Sequence, residues 1–233
     1  MNGHKGSGDN LSKYERREIE VKLRVPHLDE LRRQLVRLRG RKLSRVWEQN
    51  TLYDTPRSRF RKKGVLLRLR VMTPLGRGGR PSGVLTYKGP SLRLEDLNGG
   101  AGEVQWRPAH HRYKVRDEVE VSVGHPEKLD ELLRAVGLVA AFRYEKVRTS
   151  YALPGLAGVM LELDETPIGT FVELEGPPRQ IDRAARLLGY RPKDYITSSY
   201  LGLHLDACRR ARRQARDMAF PKRRRHELLL QKR

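Results

Sequence analysis

The sequence predicts an α+β fold in which an antiparallel sheet of eight strands is covered by helices on one face. Three observations support this prediction. Eight segments alternate in polarity with the period of a strand, helical patterns lie between some of them, and one strand–helix unit occurs twice. The 233 residues suit one large domain with terminal extensions, since domains commonly have roughly 100 to 200 residues.

The predicted strands share a two-residue alternation, which places successive side chains on opposite faces of a sheet. They cover residues 15–25, 45–53, 65–72, 83–89, 114–123, 142–152, 158–164 and 169–175. Segments 74–82 and 91–112 are rich in Gly, Pro and Arg, and are predicted to be loops.

Three helices are predicted where apolar residues recur three or four positions apart. They cover residues 28–40, 126–137 and 179–189, and each ends at a glycine. A fourth helix is expected to run from about Ser198 into the basic C-terminal segment. These helices need an apolar sheet surface to cover, so the apolar residues of the strands are expected to face them.

The unit that occurs twice is a strand followed by a helix. "EIEVKLRVPHLDELRRQLVRLRG" begins at Glu18 and "EVEVSVGHPEKLDELLRAVG" begins at Glu118, and both contain LDEL before a helix that ends at Gly. We interpret them as related half-sheets packed within one domain. Ser122 stands in the second copy where Lys22 stands in the first, so the fold of the unit does not require the lysine.

One parity of the predicted strands is charged and the other is apolar. The charged parity carries Glu18, Glu20, Lys22, Arg68, Arg70, Lys88, Glu118, Glu120, Lys146, Arg148, Glu162, Asp164, Glu173 and Glu175. A solvent-exposed sheet face would explain the alternation in any single strand. Here acids cluster on some strands and bases on others, and if the sheet closes, these charges line its interior.

Charges in such an interior need partners. A divalent cation such as Mg²⁺ or Mn²⁺ would match the carboxylates, because hard cations prefer oxygen ligands. The guanidinium and ammonium groups would match phosphate oxygens. The pattern therefore suits a metal-complexed polyphosphate, whereas binding of nucleic acid or of a membrane surface would not require carboxylates on strands.

The positive charge of the chain is shared between its body and its C-terminal segment. The net charge is +21, and residues 209–233 contain eleven Lys and Arg against Asp217 and Glu227. Such an excess favours polyanionic partners, and a polyanion contact through this tail is left open. Charge runs are more often solvated, partly helical extensions, which is the interpretation given to the tail.

The cysteine content and the apolar segments of the sequence predict the compartment. Cys208 is the only cysteine, so no disulfide can form within the chain, as expected for a reducing cytosol. Residues 1–13 are expected to be flexible and contain no apolar signal core, and no stretch approaches the roughly 20 apolar residues of a membrane span. The protein is predicted to be cytoplasmic, without membrane contact, and a homodimer is left open.

Taken in order, these motifs resemble the CYTH superfamily, the triphosphate tunnel metalloenzymes. "EIEVK" at 18–22 resembles the ExExK signature of that family. The motifs that follow are "NTLYDTP" at 50–56, "LLRLR" at 66–70, "LTYKGP" at 85–90, "VRDEVEV" at 115–121, "EKVRTSY" at 145–151, "LDETPIGTFVELEG" at 163–176 and "LGY" with "YITSSY" within 188–200. The resemblance implies a domain at 14–208, a closed eight-stranded antiparallel β-barrel with helices packed outside, and a tail at 209–233.

The resemblance also implies a role for each matching position. The implied metal ligands are Glu18, Glu20, Asp164, Glu173 and Glu175. The implied triphosphate contacts are Lys22, Arg68, Arg70, Lys88, Lys146 and Arg148. Glu118 and Glu120 match an acidic wall that binds metal or orients the bases. Catalysis is assigned to Lys22 with Glu18 and Glu20.

The implied activity is that of a class IV adenylate cyclase that depends on Mg²⁺ or Mn²⁺ and converts ATP to cyclic AMP and pyrophosphate. A triphosphatase for inorganic, nucleoside or thiamine triphosphate would use the same tunnel with water as the attacking group. A third hypothesis is a non-catalytic binder of polyphosphate or nucleic acid that acts through its tail. The signature residues are common to the first two, and the sequence does not locate the base-binding pocket that would separate them.

Overall fold

The computed structural model describes residues 17–76, 79–92 and 112–230. The predicted flexible segment 1–13 and most of the predicted loop 91–112 lie outside the described residues. The strands are β1 (Arg17–Val25), β2 (Arg41–Asp54), β3 (Leu66–Pro74), β4 (Ser82–Lys88), β5 (Lys114–Val123), β6 (Val139–Ala152), β7 (Met160–Thr166) and β8 (Gly169–Glu175). All eight predicted strands are confirmed, and β2 and β6 are longer than predicted.

Four of the helices in the described residues match predicted helices, and two were not predicted. The helices are α1 (Leu28–Arg37), α2 (Arg59–Lys62), α3 (Pro126–Ala135), α4 (Pro178–Leu187), α5 (Tyr200–Arg210) and α6 (Lys222–Leu230). The one-turn α2 was not predicted, because four residues are too few to show a period. The fourth predicted helix, from about Ser198 into the basic tail, is confirmed as α5, which ends at Arg210. The separate α6 was not predicted.

The strands form one closed barrel in the order β1-β5-β4-β3-β2-β6-β7-β8. Every neighbouring pair is antiparallel, and β1 closes the barrel by pairing with both β5 and β8. The predicted closed eight-stranded antiparallel β-barrel with outer helices is therefore confirmed. No helix in the described part of the chain is long and apolar enough to span a membrane.

The apolar parity of the strands faces outward and packs under the helices. Val21 of β1 lies in one cluster with Leu31 of α1 and Ile181 of α4. Leu69 of β3 packs with Leu133 of α3 in another. Because each buried apolar side chain contributes roughly 1.5 to 3 kcal/mol, this outer layer supplies much of the stability. The inner parity of the same strands is thus left for other chemistry.

The C-terminal segment lies against the outside of the barrel along β6. Met218 forms a parallel bridge with Tyr144. Its carbonyl accepts a hydrogen bond from the backbone N–H of Glu145, and its own N–H donates to the carbonyl of Arg143, both at 2.9 Å. The segment is therefore held to the barrel by backbone hydrogen bonds.

Apolar side chains anchor the same segment. Phe220 and Leu228 are buried in one cluster with Trp47 and Val147 on the outer face of β2 and β6. The interpretation of the tail as a solvated extension is therefore wrong for residues 218–228. Apolar residues placed among the arginines are the reason, because burying them against the barrel outweighs the cost of ordering the segment.

Candidate active site

The inner parity of the barrel forms a charged tunnel with a small central cavity of about 60 Å³. The predicted site residues that line this cavity are Glu18, Glu20, Lys22, Arg68, Arg70, Lys88, Lys146, Arg148 and Glu173. Asp164 lies behind them, fully buried. Glu118, Glu120 and Glu175 do not line the cavity and stand at its margin.

Lys22 lies between two carboxylates that come from different strands. Its Nζ is 2.9 Å from Glu20 and 3.0 Å from Glu173, and its side chain is only 3% exposed. Burial alone would lower the pKa of Lys22, but Glu173 and Glu20 together raise it. Lys22 is therefore protonated at neutral pH and presents a fixed positive charge to the tunnel.

A second cluster is built around Asp164. Both of its oxygens accept hydrogen bonds from Arg148, at 2.7 and 2.6 Å, and one also accepts from Lys146 at 2.9 Å and from the hydroxyl of Tyr200 at 2.7 Å. Its carboxylate is therefore fully engaged by protein donors. In this arrangement Asp164 orients two bases of the tunnel, and its implied role as a metal ligand stays a prediction.

Glu48 of β2 belongs to the same network, although it is not among the predicted site residues. Its side chain is 1% exposed and lies 3.5 Å from Arg70, 3.5 Å from Lys146 and 3.9 Å from Arg148. Burial would raise the pKa of Glu48, but these three cations hold it below the usual range for Glu. The available signal was its strand position, since Glu48 shares a parity with Asn50 and Leu52.

Two further bases were also missed, although they share the inward parity of β5 with Glu118. Lys114 donates a hydrogen bond to Glu20, and Arg116 lies two positions further along the strand. Burial lowers the pKa of Lys114 to about 8, although Glu20 acts in the opposite direction. Lys114 is thus the base of this group that loses its proton most readily.

Carboxylates are concentrated at one end of the tunnel. This group comprises Glu18, Glu20, Glu118 and Glu175. Lys88 donates a hydrogen bond to Glu18 and lies 3.2 Å from Glu118. Desolvation and the nearby Glu18 raise the pKa of Glu118 to about 7, against the opposing effect of Lys88. Desolvation and Glu18 also raise the pKa of Glu175 to about 7.

The carboxylates at this end are suitable ligands for a divalent cation, but their spacing in the described structure is not that of a metal site. Oxygen donors are what Mg²⁺ and Mn²⁺ prefer, and a cation would favour the ionised forms of Glu118 and Glu175. Within the described residues, however, no three acidic, His or Cys side chains are spaced to hold a metal ion. The acids instead hold Lys88 and Lys114, so the metal ligand set stays a prediction.

The opposite wall of the tunnel has unused hydrogen-bond donors. In the described part of the chain, the Nε groups of Arg68 and Arg70 are buried and have no hydrogen-bond partner. Arg68 donates through its other nitrogens to Tyr144 at 3.4 Å and to Thr86 at 3.1 Å. Because an unsatisfied buried donor is costly, an anion with several acceptor oxygens would be stabilised here.

The fold is shared with solved structures from distant organisms. The PH1819 protein of Pyrococcus horikoshii OT3 is 24% identical, with a TM-score of 0.63 over 82% of this chain and 99% of that one. A Vibrio parahaemolyticus protein described as a candidate adenylate cyclase is 17% identical, with a TM-score of 0.61 over 79% and 95% of the two chains. At these identities the likeness is one of fold.

A third similar structure is described as a candidate adenylyl cyclase from Hippeastrum with a dominant triphosphatase activity. It is 22% identical, with a TM-score of 0.52 over 85% of this chain and 97% of that one. No curated protein sequence matches the chain.

The family is shown by the sequence itself. The sequence model of the CYTH domain matches residues 16–200. This stretch contains all eight strands and all the tunnel residues described above, and it ends at Tyr200, the first residue of α5. The chain therefore belongs to the CYTH domain family, whose members are metal-dependent triphosphate tunnel enzymes.

Proposed function

We propose that this protein is an enzyme that acts on a triphosphate with a divalent metal ion, and that its reaction is that of a class IV adenylate cyclase. The observation that carries the proposal is the tunnel cavity, where bases from several strands face acids from others. The likeness of "LTYKGP" and "IGTFVELEG" to the cyclase branch and the description of the Vibrio neighbour support the cyclase reaction.

The ion pairs of the tunnel explain how such a substrate would enter. Lys22, Lys146 and Arg148 now hold Glu20, Glu173 and Asp164. A metal–triphosphate complex brings charges of both signs, so each base can exchange a carboxylate for a phosphate oxygen while the acids turn to the cation. The bases and acids are already desolvated in the folded protein, which lowers the cost of this exchange.

The proposed reaction forms one bond and breaks another at the α-phosphorus of ATP. The ribose 3′-oxygen bonds to this phosphorus, the bond to the bridging oxygen of the leaving pyrophosphate breaks, and the hydroxyl proton is released. Lys22, Arg68 and Arg70 would hold the phosphates in line and stabilise the charge that gathers on pyrophosphate. A bound divalent cation would supply further neutralisation and make the hydroxyl more acidic.

The second candidate function is a triphosphatase, which the dominant activity of the Hippeastrum neighbour favours. The oxygen of water would bond to the terminal phosphorus, the bond from this phosphorus to the bridging oxygen would break, and a proton would be released. The diphosphate would leave, and orthophosphate would be the other product. The same bases would serve, because both reactions need a fixed polyphosphate chain and neutralised charge. The two candidates therefore differ in the attacking oxygen and in the phosphorus attacked, rather than in the residues of the tunnel.

Product analysis separates the candidates. The purified full chain is incubated with ATP or with inorganic triphosphate, in the presence of Mg²⁺ or Mn²⁺, and the products are resolved by anion-exchange chromatography. Cyclic AMP with pyrophosphate supports the cyclase. Orthophosphate without cyclic AMP excludes the cyclase and supports the triphosphatase, and no turnover of either substrate contradicts both. A parallel preparation of Lys22→Met controls for contaminating phosphatases.

The tail gives a third hypothesis, a polyanion contact outside the tunnel. Deleting residues 209–233 would test it poorly, because Phe220 and Leu228 anchor this segment to the barrel. Substitution of the exposed Lys222 and Arg223 by Gln leaves the anchor intact. If binding of labelled DNA falls in this variant while triphosphate turnover is unchanged, the contact is a separate property of the tail; unchanged DNA binding contradicts it.

A further inference from the structure

A second and larger cavity, of about 630 Å³, continues the tunnel at one end. It shares five lining residues with the tunnel cavity: Leu66, Arg116, Tyr144, Ser199 and Tyr200. Its volume falls within the roughly 300 to 1,000 Å³ typical of small-molecule sites. The two cavities therefore meet at Tyr144 and Tyr200.

The inner face of the barrel changes from charged to apolar at this end. Along β3 the inward residues run from Arg70 through Arg68 to Leu66, and along β6 they run from Lys146 through Tyr144 to Phe142. On β2, Leu52 follows Glu48 and Asn50 in the same parity, and it pairs in register with Phe142. Three neighbouring strands change chemistry together, so the charged tunnel is followed by a chamber lined largely by apolar residues, whose charged lining residues are Asp54, Arg61, Arg116, Arg216 and Asp217.

Aromatic rings form the border between the two cavities. The rings of Phe142 and Tyr144 stack, with 5.9 Å between their centres and 22° between their planes. The ring of Tyr200 lies 6.1 Å from that of Tyr144. Flat aromatic surfaces of this kind favour stacking by a planar heterocycle, while Ser199 and Arg116 supply polar groups at its edge.

Part of the chamber wall comes from residues beyond the CYTH match. Leu201 and Leu205 of α5 line the chamber, and so does segment 215–217 of the tail. Asp217 accepts a hydrogen bond of 2.8 Å from the backbone N–H of Arg143, and His204 contacts the carbonyl of Arg216 at 2.7 Å. The tail segment is thus fixed in place as part of the wall.

We propose that this chamber binds the base and sugar of a nucleoside triphosphate whose phosphates lie in the tunnel. The inference rests on the proposed function and goes further in locating the base and sugar of the substrate and in naming the part of the chain that selects them. Inorganic triphosphate would leave the chamber unused, whereas a nucleoside would cover its aromatic and leucine side chains. The enzyme therefore prefers nucleoside triphosphates to inorganic triphosphate, and its C-terminal tail contributes to that preference.

Ala141 offers a way to fill the chamber. It is the extra residue of a β-bulge, since Leu52 pairs with Phe142 and Tyr53 pairs with Ala140. It is exposed and lines the chamber, so Ala141→Phe adds a ring without disturbing the core. Ala157→Phe is the matched control, because Ala157 is also exposed and lines neither cavity.

The experiment measures the affinity of the full chain for ATP and for inorganic triphosphate, each with Mg²⁺, by calorimetry. We expect tighter binding of ATP in the wild type. In Ala141→Phe the affinity for ATP is expected to fall by about tenfold or more, as for a blocked side-chain pocket. The affinity for inorganic triphosphate is expected to stay unchanged, and Ala157→Phe to resemble the wild type.

The outcomes separate the inference from the function on which it rests. If neither ligand binds, the proposed function fails and the inference fails with it. If both bind, and Ala141→Phe weakens both equally or neither, only the inference is overturned. Should Ala141→Phe not fold, as judged by circular dichroism, Arg216→Ala at the exposed Arg216 decides. A loss of affinity for ATP alone, relative to the wild type, supports the chamber. An equal change in affinity for both ligands, or no change in either, contradicts it.

Discussion

Lys22 combines two properties at the residue scale that point to chemistry rather than to folding. It is buried against Glu20 and Glu173, and its Nζ lies 5.3 Å from the centre of the Tyr200 ring. The equivalent position in the second strand–helix unit is Ser122, and that unit folds in the same way. A buried lysine that the repeated fold does not need is best explained by a ligand that needs its charge.

Lys22→Met tests this role. We expect kcat/KM for the triphosphate substrate to fall by about 100-fold or more, since one charge aimed at the reacting phosphates is removed. The fold should survive, because Glu20 retains Lys114 and Glu173 retains Arg148. Steady-state kinetics with circular dichroism gives the result, with the exposed Lys128→Met as control. Full activity in a folded Lys22→Met protein would contradict the assignment.

Glu48 gives a prediction about pH. Because Arg70, Lys146 and Arg148 lower its pKa in the folded state, its ionised form stabilises the fold above the pKa of an ordinary Glu, about 4.3. That stabilisation is lost as the pH falls below this value. We expect Glu48→Gln to cost about 3 kcal/mol at pH 7, as for a broken buried ion pair.

The measurement is thermal denaturation of both proteins between pH 3 and pH 7. The difference in melting temperature between wild type and Glu48→Gln should shrink as the pH falls from 5 towards 3. A difference that stays constant over this range would show that the charge of Glu48 does not act as described.

At the scale of elements, the duplicated strand–helix unit organises the tunnel. β2 and β6 occupy equivalent places in the two halves and pair with each other, with Glu48 opposite Lys146. The equivalent β3 and β7 carry opposite charges, with Arg68 and Arg70 on one and Glu162 and Asp164 on the other. The duplication therefore gives the barrel its shape, and complementary substitutions between the halves give it matched charges.

The sequence predicts these elements well and the site in part, for reasons that differ between residues. Strand alternation located Lys22 and Arg148, because each shares its parity with other charges. Glu48 escaped because the predicted strand 45–53 has no other charged residue of that parity. Tyr200 comes from a helix, so no strand parity could place it in the tunnel. The bend that returns the tail to β6 has no periodic signal at all.

Helix α6 shows how two leucines on one element differ. Leu228 is fully buried in the cluster with Trp47 and Phe220, whereas Leu230 is 54% exposed. Leu228→Ala should lower the free energy of unfolding by about 3 kcal/mol. Leu230→Ala should change it by less than about 0.5 kcal/mol. Urea denaturation followed by circular dichroism measures both, and equal values would mean that α6 is not docked on the barrel.

The whole molecule combines a closed outer core with an inner surface of paired charges. Closure removes free strand edges and allows polar side chains to be buried where an open sheet would need an apolar face. The tunnel bases neutralise its acids in the described structure, as between Lys22 and Glu20 or Lys146 and Asp164. A cation bound alone would displace the bases from the acids and leave the bases without partners. An anion bound alone would do the same to the acids.

This balance predicts that metal and triphosphate bind cooperatively. Mg²⁺ bound alone would be repelled by Lys88 and Lys114, and a triphosphate bound alone would be repelled by Glu20 and Glu173. Together they neutralise each other, so the two ligands should raise the melting temperature by more than the sum of their separate effects. The measurement uses triphosphate with methylene groups in place of both bridging oxygens, which neither reaction cleaves, in EDTA or in Mg²⁺. Purely additive shifts would show that acids and bases of the tunnel bind their ligands independently, and a full shift in EDTA would show that the bases alone suffice.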